Sequence, residues 1–105
     1  MQKYKLVVHV PLTHADAVRE AMGLAGAGRI GNYAHCSFSS IGTGRFLPLE
    51  GAEPHIGTIG VPEATPEERI EVTVTEDILD VVIVALKQVH PYEEVTYDVY
   101  RLENK

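Results

Sequence analysis

Eight of the nine glycines in this 105-residue chain fall between Gly26 and Gly60, together with the only cysteine, Cys36, and both phenylalanines, Phe38 and Phe46. Pro48 and Pro54 lie in the same tract, and Pro62 and Pro66 prolong it. Such a tract cannot form a helix interior, where glycine costs about 1 kcal/mol and proline about 3 kcal/mol relative to alanine. It therefore splits the chain into two flanking scaffold segments and a central region, 26–66, made of turns and extended pieces.

The flanks carry clear periodicities. Residues 3–10 alternate, with Tyr4, Leu6, Val8 and Val10 on one face and Lys5, Val7 and His9 on the other. That is a strand, and an apolar Val7 on the second face suits a central position. Pro11 is expected to end it. Thr13 is a suitable N-cap and Asp16 favours the positive end of a helix. The helix runs to about Ala25, with Ala15, Val18, Ala21, Met22 and Ala25 on its apolar stripe, and Gly26 and Gly28 beyond its C-terminus. After the tract, Glu68–Thr75 alternates as a strand with Ile70, Val72 and Val74 inward. A second helix starts at Thr75 or Glu76 and buries Leu79, Val82, Ile83, Leu86 and Val89. Val81 and Val84 broaden that stripe, so this helix is covered on more than one side or meets a partner. His90 closes it, Pro91 prevents continuation, and Val95–Leu102 is a last strand.

Within the tract, GAGRIG (residues 26–31) spells G-x-G-x-x-G. A dinucleotide site needs a strand before that motif and a helix after it. Here a helix precedes and an extended segment follows, so the glycines read as a helix-to-strand turn. Asn32–Ser40 reads as a strand, Ile41–Gly44 as a turn and Arg45–Leu47 as a second strand, a hairpin spanning Asn32 to Leu47. The loop from Pro48 to Pro66 is expected to reach a neighbouring subunit or shield an edge strand. The resulting order, β-α-β-β-α-β, is the α+β ferredoxin-like arrangement: an antiparallel sheet with two helices on one face and an enlarged central hairpin, in a single domain over residues 1–105. The other face, with Val7 and Cys36, is left uncovered and partly apolar, which favours self-association.

A net charge of −6 with nine scattered basic residues argues against a nucleic-acid surface. No apolar run approaches the roughly 18 residues of a membrane span, and the alternating N-terminus followed by Pro11 does not read as a signal peptide. A single cysteine excludes an intramolecular disulfide and points to a cytoplasmic setting.

Four groups of residues are candidates for chemistry. HPYEE, His90 to Glu94, places an imidazole and two carboxylates within five residues. With His35, the residues His90, Glu93 and Glu94 form a candidate site for a divalent metal such as Zn, Cu, Co or Mn. The plainer reading makes His90 the C-terminal cap of the helix and leaves the glutamates solvated. His35 is alternatively set opposite His9 across strands. Arg45 and Arg69, with Arg29, are candidates for an anionic ligand held with backbone amides of the glycine loops, and Tyr92 joins Arg45 and Arg69 as a ligand-binding residue. The plainer reading pairs Arg69 with Glu68 or Glu71. His35 and Cys36 are adjacent but face opposite ways in a strand, and Cys36 has no elbow or helix N-terminus to activate it, so no catalytic residue is assigned.

The runs GAGRIGNYAHCSFSSIGTGRFLP, GAEPHIG, EERIEVTV and HPYEEVTYDVY closely resemble the domain inserted in the bacterial YqfO branch of the Nif-three-like proteins, also called type-two GTP cyclohydrolase I or dinuclear metal-centre proteins. The resemblance covers roughly Val7 to Arg101. It implies a fold like CutA and the PII signalling proteins, and a homo-oligomer, with a trimer favoured over a dimer. The metal-binding, hydrolytic part of the longer family members lies in flanking halves outside this sequence. The expectation is therefore a non-enzymatic, self-associating domain that binds a divalent metal or small ligand in a sensory or regulatory role. One alternative is metal-dependent nucleotide hydrolysis. The other is a pure oligomerisation module that docks on another protein.

Overall fold

The computed structural model describes residues 1–105 and contains four strands and two helices. These are β1 (Lys3–Pro11), α1 (Ala15–Leu24), β2 (Phe38–Phe46), β3 (Glu63–Thr75), α2 (Leu79–Val89) and β4 (Tyr97–Arg101). One four-stranded sheet has the order β2-β3-β1-β4 with every neighbouring pair antiparallel. This is the expected ferredoxin-like arrangement. β1 is central, as Val7 on its second face suggested: Leu6, Val7 and Val8 are all buried.

The alternation of β1 and β3 builds the core. Leu6, Val8 and Val10 join Ile70, Val72 and Val74 on one sheet face, and Ala15, Val18 and Met22 of α1 with Val82 and Leu86 of α2 cover them. Val7 is 2% exposed yet lies outside that cluster, on the face without helices. Each buried aliphatic side chain contributes about 1.5–3 kcal/mol relative to exposure, so this stripe-on-sheet packing dominates the stability. Arg19 of α1 ties the helix to the sheet through an ion pair with Glu68 of β3, whose side chain is largely buried, and also pairs within the helix with Asp16.

The central hairpin differs from its expected form. Asn32–Cys36 is not a strand: Ile30 and Tyr33 form an isolated bridge, and His35 has φ 58. Ile41–Gly44 is not a turn. β2 runs straight through it, with Gly42 opposite Glu67 and Gly44 opposite Thr65 of β3. Neither glycine has positive φ. At Gly44 the missing side chain leaves space for a neighbour, as the cleft below shows. The hairpin is thus β2–β3, joined by the loop 47–62. β3 also starts five residues before the expected Glu68 and contains Pro66. The proline is tolerated because Glu63–Pro66 runs past the end of β1 and pairs only with β2, so its missing N–H removes no bond from β1.

Helix starts also differ. The chain enters α1 through a 3-10 turn, Leu12–His14, with no side-chain cap; Thr13 Oγ1 lies 2.8 Å from His14 Nδ1 instead. A second 3-10 turn, Glu76–Ile78, precedes α2. Pro11 is the last residue of β1 rather than the first beyond it.

The GAGRIG glycines do form the connection out of α1. Gly28 has φ +80, donates its N–H to Thr73 O at 2.8 Å, and accepts from Cys36 N–H at 2.9 Å. A Cβ there would lie 2.6 Å from Cys36 N. Positive φ and backbone contact each require glycine at this position. This pins the 30s loop to the end of β3 and leaves no strand–motif–helix context for a dinucleotide.

Candidate ligand-binding cleft

The loop 47–62 curls over the end of the sheet toward the segment that links α2 to β4. Gly60 N–H closes its base on Pro48 O at 2.8 Å. Glu53 N–H donates to Glu93 Oε2 at 2.9 Å, joining the loop to that segment. Between them and the sheet lies a cleft of about 640 Å³. That volume falls within the range of small-molecule sites, roughly 300–1,000 Å³.

Three side chains form the floor. Glu67 projects from β3, Tyr92 from the α2–β4 link and Phe46 from the end of β2. Tyr92 donates its hydroxyl to Glu67 Oε2 at 2.8 Å. The Phe46 and Tyr92 rings are 6.3 Å apart, and His55 of the loop is 6.3 Å from Tyr92. Glu67 is only 9% exposed. Its carboxylate lies against Gly44 of β2, where any Cβ would collide with Oε1 and approach Oε2 to 2.9 Å. That close approach explains a glycine in a continuous strand. Burial, the bond to Glu67 and its negative charge together hold the Tyr92 hydroxyl well above the ordinary tyrosine range.

His90 is a brace behind this floor. Its Nε2–H donates to His9 O at 2.7 Å, while Nδ1 accepts from the Tyr92 backbone N–H at 3.2 Å. A carbonyl only accepts and an amide N–H only donates, so these partners select the neutral Nε2–H tautomer. Burial lowers its pKa below the ordinary histidine value, partly opposed by the His9 carbonyl and Glu67. The imidazole thus couples the end of α2 to β1 and fixes the start of the α2–β4 link.

The sequence-derived candidates separate into three places. Arg45, Tyr92, Glu93 and Glu94 line the cleft. Arg69 lies in an adjoining pit on the open sheet face, shared with His9, Thr43 and Glu67, and pairs with Glu71 at 3.0 Å. His35 packs its ring against Gly23 in α1, away from His9 and His90. No three His, Cys, Asp or Glu side chains converge in the protomer to hold a metal ion. Both ring nitrogens of His90 are already engaged. Cys36 is half-buried, with its thiol 4.0 Å from Ala34 O. Residues not singled out from the sequence are Glu67, His55 and Phe46. No local pattern marks Glu67, because the glycine that makes room for its carboxylate, Gly44, stands on another strand, opposite Thr65.

No protein-family model matches the chain. It is 55% identical over 102 residues to the GTP cyclohydrolase 1 type 2 homolog of Halalkalibacterium halodurans, covering 97% of this chain and 27% of the relative. It is 50% identical over 99 residues to that of Bacillus subtilis, covering 94% of this chain and 26% of the relative. The chain therefore spans about a quarter of the length of these relatives. Among solved structures, a Bacillus cereus protein related to NIF3 superposes with a TM-score of 0.86 at 51% identity, over 98% of this chain and 26% of that one. The CutA of Archaeoglobus fulgidus gives 0.70 at 16% identity, over 98% and 86% of the two chains. Bacillus subtilis GlnK gives 0.68 at 17% identity, over 100% and 89%. The last two show the fold alone. No helix is long and apolar enough to cross a membrane. The chain thus carries the CutA- and PII-like domain that the NIF3-related GTP cyclohydrolase 1 type 2 homologues contain within their length.

Proposed function

We propose that this domain is a self-associating ligand-binding module, sensory or regulatory in role, whose site is the cleft under the loop 47–62. The observation that carries this reading is the floor itself: a buried carboxylate braced by Tyr92 beneath a cavity of about 640 Å³. Burying a carboxylate costs several kcal/mol unless it is bonded. Keeping one in a cavity wall is easier to understand as recognition than as packing. Nothing in the cleft pairs a nucleophile with a base, and the long relatives' name is not needed to explain these residues.

Self-association is supported by the face without helices. It exposes Phe38 and Tyr100 at 71% and 51% beside the buried Val7. A trimer is the expected assembly and a dimer the alternative. On the same fold, GlnK of Bacillus subtilis has been solved with ATP. A polyphosphate suits this cleft poorly, because Glu67, Glu93 and Glu94 face a single arginine, Arg45.

The test is a ligand screen by thermal shift on the wild-type chain. It would include small organic molecules of each charge and the Zn, Cu, Co and Mn ions, with light scattering for assembly. The reading expects a stabilising hit whose effect is lost in Tyr92→Ala, and a stable oligomer at micromolar concentration. Absence of any hit removes the binding role and leaves a pure assembly module. GTP turnover that depends on added metal would favour the hydrolase alternative.

A further inference from the structure

Building on the ligand-binding reading, we propose that the cleft selects a small organic cation, an alkylammonium or guanidinium group, which docks on Glu67 Oε1 beneath the rings of Phe46, Tyr92 and His55. Glu67 is more than nine-tenths buried, and only one of its carboxylate oxygens has a partner. Oε2 accepts from Tyr92, whereas Oε1 accepts no hydrogen bond within the protomer. Oε1 is not sealed either, since no side-chain oxygen in the protein is both fully buried and unsatisfied. It is therefore reachable from the open sheet face, where Glu67 lines both the cleft and the adjoining pit that holds Arg69. A desolvated carboxylate oxygen in that position calls for a donor, and a charged donor forms the strongest bond.

The surroundings select among cations. A divalent metal wants several converging oxygen or imidazole ligands, and none converge here. An organic cation needs one carboxylate and the faces of aromatic rings, which attract positive charge within about 6 Å of their centroids. Phe46 and Tyr92 supply such rings to the cleft lining, with the His55 imidazole beside them, Tyr92 lying 6.3 Å from each of the others. Glu93 and Glu94 at the rim add charge of the same sign as Glu67. Gly44 keeps the carboxylate in place by leaving room where a methyl would clash.

The probes are butylammonium chloride, sodium butyrate and butanol, titrated into the full chain and followed by amide chemical shifts in NMR. Butylammonium is expected to move the Gly44, Glu67 and Tyr92 amides, butanol to bind more weakly and butyrate not at all. E67Q keeps the side-chain shape and is expected to weaken butylammonium about tenfold or more, the worth of a charge-assisted bond. Phe46→Leu leaves the carboxylate intact and serves if E67Q does not fold. It should weaken butylammonium about three- to tenfold while sparing butanol. Butyrate binding in the cleft without butylammonium would overturn the cation assignment yet leave the ligand-binding reading standing. So would E67Q binding butylammonium as wild type does, equal losses of both probes in Phe46→Leu, or Mn or Zn occupying the site undisplaced by butylammonium. If no probe and no screened molecule binds, both readings fall.

Discussion

Replacing Gly44 with alanine tests whether the glycine-rich tract serves the cleft or merely bends the chain. Gly42 supplies the control, because the two glycines are two residues apart in one strand and share one face. A Cβ at Gly42 meets nothing within 4 Å, while a Cβ at Gly44 collides with the Glu67 carboxylate. Neither residue has positive φ, so backbone strain does not enter. In a strand interior, Gly→Ala is itself worth about 0.5–1 kcal/mol in favour of alanine. Gly42→Ala should therefore be neutral or stabilising by that amount. In Gly44→Ala, Glu67 must rotate and release Tyr92, losing a charge-assisted bond worth about 1.5–3 kcal/mol. The difference leaves Gly44→Ala destabilised by about 1–2 kcal/mol net. For a domain of this size that lowers Tm by roughly 5–15 °C. Thermal unfolding by circular dichroism, at equal protein concentration, measures it. A second readout is the Tyr92 ring in an NMR alkaline titration. Its hydroxyl should move part of the way back toward the ordinary tyrosine value, because burial remains while the Glu67 bond is lost. Equal stability of the two variants would refute the claim that Gly44 is present to seat Glu67.

Two further outcomes follow from the fold. Gly28→Ala should cost about 2–5 kcal/mol, combining the left-handed backbone penalty with the collision against Cys36, whereas Gly31→Ala, at φ +55 in open space, should cost only about 1–2 kcal/mol. Urea denaturation separates them, and equal midpoints would show that the 30s loop does not press on Gly28. His90 is held neutral in the fold with its pKa below the ordinary histidine value, so the unfolded chain takes up that proton first as pH falls. Its contribution is full above about pH 6.5 and is lost as pH drops from there toward the folded pKa. His90→Gln should flatten that part of the stability–pH curve; an unchanged acid limb would mean that His90 does not couple folding to protonation.

The scaffold is legible from local pattern alone. Periodicity two in residues 3–10 and 68–75, and periodicity near 3.6 in the two helices, depend only on local neighbours, and they gave the element order and most of the core. They also gave the reversed context of GAGRIG, whereas the choice between Glu68 and Glu71 as partner of Arg69 fell to Glu71 in the structure. The meaning of the glycines and the assembly of the cleft depend instead on contacts between distant segments. Glycine allows either a turn or a close approach, and composition does not tell which. At Gly28 it serves positive φ; at Gly42 and Gly44 it sits in a straight strand, which is why the expected turn at Ile41–Gly44 is absent. Phe46 and Glu67 are brought to one sheet face by the β2–β3 register and Tyr92 joins them from the α2–β4 link, 46 residues beyond Phe46, and no local pattern marks such a meeting. The same register placed His90 behind the site with both nitrogens engaged and left His35 apart, dispersing a constellation that looked compact when read along the chain.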